Sequence, residues 1–97
     1  PTAIITANDI CAFGAMRAVQ TRGQQVGRDV SVIGFDDISL ADHWQPSLTT
    51  IAQPFRKIGF ALMQSLLSVI SGDKVLPQIM VEPQLVIRQS TGEHLPG

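Results

Sequence analysis

The chain holds one cysteine, Cys11, in 97 residues. A single thiol excludes an internal disulfide and points to a reducing compartment. Charge is also scarce. Charged residues make up 15% of the chain, against about 25% in an ordinary soluble domain. The seven Lys and Arg are scattered and the formal net charge is −1. With no basic stripe, the chain is not expected to bind nucleic acid by itself. No apolar run approaches the roughly 18 residues of a transmembrane helix. Leader and lipidation motifs are missing. Pro1 stands where an initiator Met would be, and a strand begins almost at once, so the start reads as a fragment boundary. There is no Gly-rich phosphate loop, no metal-spaced Cys/His set and no nucleophile elbow. No catalytic residue, metal or cofactor is therefore expected, and no internal repeat is present.

Low charge combined with positive mean hydropathy is unusual for a small domain with much surface to wet. A compact chain of this size buries roughly two-thirds of its unfolded surface. The composition predicts a chain that leans on a partner subunit or on the rest of its own polypeptide.

What is present centres on Ser31–Val32–Ile33–Gly34–Phe35–Asp36–Asp37. A short β-branched run with no apolar/polar alternation reads as a strand covered on both faces, as in parallel α/β sheets. Its carboxyl end delivers Asp36 and Asp37, and ligands of open α/β sheets bind beyond the carboxyl ends of strands. Either carboxylate then faces a ligand or caps a turn.

Around this strand the chain alternates. Ala3 to Thr6 reads as a strand. Asn8 or Asp9 is placed to cap a helix from about Ile10 to Arg22. Between Ile10 and Val19 only Arg17 is strongly polar, so this helix is expected to be covered nearly all round, with Cys11 a buried, inert thiol. Gly23 is its expected terminator. After the Asp36 loop, Leu48 to Ile51 reads as a third strand. Gln53–Pro54 opens a helix with Pro at its first position. There Phe55, Ile58, Leu62, Leu66 and Val69 fall on one face, read as core. Ser71–Gly72–Asp73 ends it. Gln78 to Glu82 and Gln84 to Arg88 read as extended segments split by Pro83. Ser90 to Gly97 reads as a frayed polar tail.

Asn8, Asp36 and Gln53 each lie just past the end of a predicted strand. Parallel strands would bring them to one edge, an amide, a carboxylate and an amide suited to the hydroxyls of a sugar or nucleoside. The bland alternative has Asn8 and Gln53 capping helices, and both roles can coexist. His43 reads as a surface imidazole. Trp44 reads either as a contact anchor or as a lid on its own sheet.

Four blocks resemble one family. P-T-A-I-I-T-A-N-D from Pro1 to Asp9, with Ala12 and Gly14–Ala15–Met16, is similar to the P-x-A-I-x-x-x-N-D-x-x-A-x-G-A segment of the lactose-repressor/galactose-repressor family. Val30 to Ile38 resembles its S-V-I-G-F-D-D block. Pro46 to Pro54 resembles its L-T-T-I-x-Q-P block, and Leu85 to Thr91 resembles its R-x-S-T ending. Ser47 replaces a usual second Pro and Gln89 a common acidic residue. The resemblance implies an α/β fold, a parallel three-layer sheet of the type I periplasmic-binding-protein kind. It places residues 1–52 plus 84–97 in the C-terminal lobe and residues 54–83 in the N-terminal lobe. The DNA-binding domain would lie outside this chain. It implies effector contacts from Asn8, Asp36, Gln53 and Phe55, and a homodimer contact through Phe13 and Trp44. The implied function is that of a cytoplasmic regulator. It would bind a sugar or nucleoside between two lobes and control operator DNA allosterically through the missing domain. A transporter's periplasmic sugar-binding protein is the alternative. An α/β enzyme such as an isomerase would need Asp37 and His43 as its acid/base pair. A piece carrying parts of two lobes is expected either to dimerise, in one form by exchanging the Phe55–Ile70 helix, or to have been cut from an intact protein.

Overall fold

The computed structural model describes residues 1–72 and 80–94. Along these the chain forms β1 (Ala3–Ile5), α1 (Asp9–Thr21), β2 (Ser31–Ile33), α2 (Leu40–His43), β3 (Thr50–Ala52), α3 (Phe55–Ile70) and β4 (Gln84–Val86). The chain divides into two compact units, Pro1–Ala52 with Gln84–Gly97, and Gln53–Pro83.

The first unit is built on a β1–α1–β2 crossover. β1 and β2 pair in parallel with Ala3 opposite Ser31, Ile4 opposite Val32 and Ile5 opposite Ile33. Parallel bridges from Ile33 to Thr49 and from Asp36 to Ala52 bring the β3 segment along the other side of β2. β4 departs from the all-parallel expectation, because it pairs antiparallel with β3. The returning chain is held in that direction by polar stitches: the amides of Gln89 and Ser90 donate to the Ser47 carbonyl, at 3.1 and 2.9 Å. The Arg88 amide donates to Thr49 Oγ1 at 2.8 Å.

α1 begins and ends as its sequence dictates. Asn8 Oδ1 accepts from the Cys11 amide at 2.8 Å, capping the first turn. At the other end the Gly23 amide donates to Gln20 and the Gln24 amide to Val19, at 3.0 and 3.2 Å. This is a Schellman closure, and Gly23 takes the left-handed φ of 78° that it requires.

Ala12, Phe13, Met16 and Val19 of α1 are buried with Val30, Val32, Ala41 and Leu48 in one core. α1 is covered on this side only. Ile10, Cys11, Gly14 and Ala18 are exposed, so the expected all-round covering and the buried thiol both fail for this chain. Helical spacing explains it: residues 9, 12, 13, 16 and 19 share one face, and residue 11 lies off it.

The frayed tail expected over Ser90–Gly97 is corrected at Ser90, and residues 95–97 lie outside the described residues. Ser90 is fully buried. Its hydroxyl donates to the Val32 carbonyl at 2.6 Å and accepts from the Thr49 amide at 2.7 Å. The Ser90 carbonyl in turn accepts from the Val32 amide at 2.9 Å. The side of β2 away from β1 is thus completed partly by a serine rather than by a strand.

The second unit contains α3, present as its periodicity predicts, but with no buried residue. Phe55, Leu62, Leu66 and Val69, expected as core, are exposed, and Ile58, Ala61, Ser65 and Ser68 are half-buried. Pro54 stands one place before the helix as its N-cap rather than at its first position. The Ser71–Gly72 end is as expected, with Gly72 at φ 90°. Of the extended segment expected over Gln78–Glu82, Gln78 and Ile79 lie outside the described residues, and Met80 to Glu82 form no strand.

Candidate functional site

Among the described residues, the loop after β2 carries the two non-glycine residues at positive φ. Asp36 has φ 124° and Asp37 φ 58°. Two consecutive non-glycine residues at positive φ carry strain of order 1–3 kcal/mol each, which persists only where the surroundings enforce it. Such strain concentrates at functional sites.

The enforcement is visible residue by residue. The Asp36 amide donates to the Ile51 carbonyl at 2.9 Å, fixing the loop to β3. The Asp37 carboxylate pairs with Arg88 Nη1 at 2.8 Å. Arg88 Nη1 also donates to the Leu48 carbonyl at 2.9 Å. One residue further, the Ile38 amide donates to Asp9 Oδ2 at 2.8 Å.

Asp9 is the hub of this arrangement. It is 1% exposed. Its second oxygen accepts from the Thr50 hydroxyl at 2.6 Å, and its amide donates to the Phe35 carbonyl at 3.1 Å. A buried carboxylate is tolerated only when its lone pairs are used in this way. Gly34 is required beside it: an added Cβ would sit 2.3 Å from Asp9 Oδ1 and 2.8 Å from Leu48 Cδ2.

Asn8 and Asp36 flank the Asp9–Phe35 hydrogen bond, one residue away on either side. The fold therefore brings these two candidates to the same edge, beyond the carboxyl ends of β1 and β2. Both are half-buried. Asn8 spends Oδ1 on its helix cap, while a carboxamide carries two further donors on its nitrogen. A carboxylate accepts from two hydroxyls at once. An amide donor beside a carboxylate acceptor is chemistry for a polyhydroxyl ligand. Gln53 and Phe55 belong to the second unit. Gln53 is half-buried, its carbonyl accepts from the Phe55 amide at 2.8 Å, and Phe55 is exposed.

Asp37, left open as a ligand group or a base, is a loop anchor through Arg88. His43 is exposed at the end of α2. Phe13 and Trp44 stack with ring centroids 4.3 Å apart and planes at 20°. Phe13 is buried in the core and Trp44 is half-buried on top of it. Among the described residues no group of His, Cys, Asp or Glu is arranged to hold a metal ion. Nor is any helix there long and apolar enough to cross a membrane.

Asp9, Thr50 and Arg88 are the residues that sequence reasoning missed as parts of this edge. For Asp9 a signal existed. It shares the helical face of Ala12, Phe13 and Met16, at spacings of three, four and seven, so a carboxylate there had to be buried and bonded. For Arg88 there was none, since its partners lie 39 to 51 positions away.

The parallel β1–α1–β2 crossover, with its acidic loop beyond the strand ends, defines an α/β domain. Residues 1–91 match the periplasmic binding protein-like domain family. The chain belongs to that family, in its lactose-repressor/galactose-repressor group. It is 42% identical over 91 residues to the lactose operon repressor of Escherichia coli K12, covering 94% of this chain and 25% of that protein. Among solved structures it is similar to a Lac repressor dimer bound to operator and the anti-inducer ONPF. That match has a TM-score of 0.89 and 41% identity, covering 96% of this chain and 32% of the other. A second similar structure is a LacI family transcriptional regulator from Enterococcus faecium with bound ribose. Its TM-score is 0.83 at 33% identity, covering 94% of this chain and 34% of the other. The chain thus spans between a quarter and about a third of the relatives it matches.

Proposed function

We propose that this chain is the C-terminal part of the effector-binding domain of a transcriptional regulator. The whole protein binds a small effector, a sugar or a nucleoside, between two lobes and controls operator DNA through a domain outside this chain. It acts as a cytoplasmic homodimer and performs no catalysis. Residues 1–52 with 84–97 belong to the C-terminal lobe, and residues 54–83 to the N-terminal lobe. In the whole lobe the strands form the parallel middle layer of a three-layer sandwich, with β4 as an antiparallel edge.

Asn8 and Asp36 bind effector hydroxyls from the C-terminal lobe. Gln53 and Phe55 complete the set, the amide by hydrogen bonding and the ring by lying against the effector. The dimer contact runs through Trp44, with Phe13 holding the indole from below, and continues over the exposed α1 face of Ile10, Cys11, Gly14 and Ala18. Such a surface accounts for a helix that is apolar on both sides. The effector acts allosterically, by binding one of two lobe arrangements more tightly than the other.

The observation that carries the reading is the held, strained backbone at Asp36. A solvated turn has no need of a buried Asp9 and a paired Arg88 to keep two residues at positive φ. The repressor reading is preferred to a transporter's binding protein because the related proteins named above are repressors or regulators. An isomerase-like enzyme is disfavoured because Asp37, its candidate base, is engaged by Arg88.

The test is isothermal calorimetry on the full-length regulator with a panel of pentoses, hexoses and nucleosides. One ligand class binds, and Asp36→Ala weakens it by at least about tenfold. Loss of even one charged hydrogen bond, worth about 1.5–3 kcal/mol, requires this. Equal binding by wild type and Asp36→Ala places the effector elsewhere.

A further inference from the structure

The strain at Asp36 raises a question that ligand chemistry does not answer: which residue keeps the loop in place before any ligand arrives. The Asp36 amide bonds to the Ile51 carbonyl, on the side of β3. Asp9 grips the loop at Ile38, two residues on. Between them stands Asp37, whose own φ is 58° and whose carboxylate lies 2.8 Å from Arg88 Nη1.

Arg88 is suited to hold it. It is the second residue after β4 and arrives from the far end of the sequence. Its amide is fixed by Thr49 Oγ1 at 2.8 Å, and its Nη1 by the Leu48 carbonyl at 2.9 Å. The guanidinium is therefore anchored to the chain leading into β3 before it meets Asp37. Its side chain is 16% exposed and that of Asp37 26% exposed, so solvent screens the pair less than it would a surface pair. A second carboxylate, Asp42, lies 3.6 Å from Nε but is 70% exposed, and contributes little. One nitrogen, Nη1, thus serves the carbonyl and the carboxylate together.

We infer that Arg88 is a positioning residue for the effector site: through its ion pair with Asp37 it keeps Asp36 at positive φ, so that the Asp36 carboxylate is aimed before the effector binds. The inference rests on Asp36 being the effector ligand, but the holding step is measurable without any effector. Sequence distance hides this link, because Arg88 sits in the R-x-S-T block, far from every other candidate.

The experiment is amide hydrogen exchange on the full-length regulator without effector, comparing wild type with Asp37→Asn, Arg88→Lys and Asp42→Asn. Asparagine is at home at positive φ, so Asp37→Asn removes the ion pair and little else. We expect exchange in the segment 34–38 to rise about tenfold in Asp37→Asn and by a smaller factor in Arg88→Lys. Asp42→Asn stays within about twofold of wild type, and exchange across α1 is unchanged in all three. Unchanged exchange at 34–38 in Asp37→Asn overturns the inference. So does a rise of equal size in α1, which means general loosening and not positioning. Failure of the effector assignment itself reads out separately, as unaltered calorimetric binding by Asp36→Ala.

Discussion

The two units use similar residues to opposite effect. In the first, Met16, Val19, Val32 and Leu48 disappear into a shared core. In the second, Leu62, Leu66, Leu67 and Val69 of α3 are no less apolar, and all stay at least half exposed. Helix formation is the same in both; what differs is the presence of a complementary surface. Burial of a leucine is worth about 1.5–3 kcal/mol only where a surface receives it. The first unit is also closed by buried polar groups. Asp9 ties α1 to β3 and the acidic loop, Ser90 ties the chain end to β2, and Arg88 ties it to Asp37. α3 has no buried residue to be tied by.

This contrast can be broken by three substitutions followed by urea denaturation. Met16→Ala opens a cavity in the first unit and is expected to destabilise the 97-residue chain by about 2–5 kcal/mol. Ser90→Ala leaves the Thr49 amide and the Val32 carbonyl without their buried partner. It is expected to cost about 2 kcal/mol, within the range of about 1–3 kcal/mol for such groups. A loss below about 0.5 kcal/mol would return Ser90 to the frayed tail that its composition suggested. Leu66→Ala, at a position 54% exposed, is expected to stay within about 0.5 kcal/mol in the isolated chain. In the full-length regulator the same change is expected to cost more, because the proposed N-terminal lobe would cover α3. Equal small effects in both settings would count against that assignment.

Much of the first unit was legible. The parallel strands, the Asn8 cap and the Gly23 closure follow from signals a few residues long. The placement of Asn8 and Asp36 past the ends of their strands follows from topology alone. The errors have a common origin. The apolar neighbours of Cys11 suggest covering, but in one chain only one side of α1 meets the sheet. Serine and threonine are usually wet, which suggests a frayed tail, yet Ser90 completes β2. The Gln84–Arg88 segment reads only as extended, because strand direction leaves no mark in three residues.

Local sequence determined where the elements begin and end, since caps, left-handed glycines and apolar periodicity act within a turn or two of the backbone. It also determined that two carboxylates would stand at the end of the central strand. Only tertiary structure decided what those carboxylates do. Asp37 became an anchor because Arg88, 51 positions later, arrives 2.8 Å away. Asp36 is held at positive φ because Ile51, Arg88 and Asp9 meet around its loop. Buried hydrogen bonds and ion pairs act between groups that chain folding brings together, whatever their separation in sequence, and that is why the place of the two carboxylates is readable and the Arg88 contact is not.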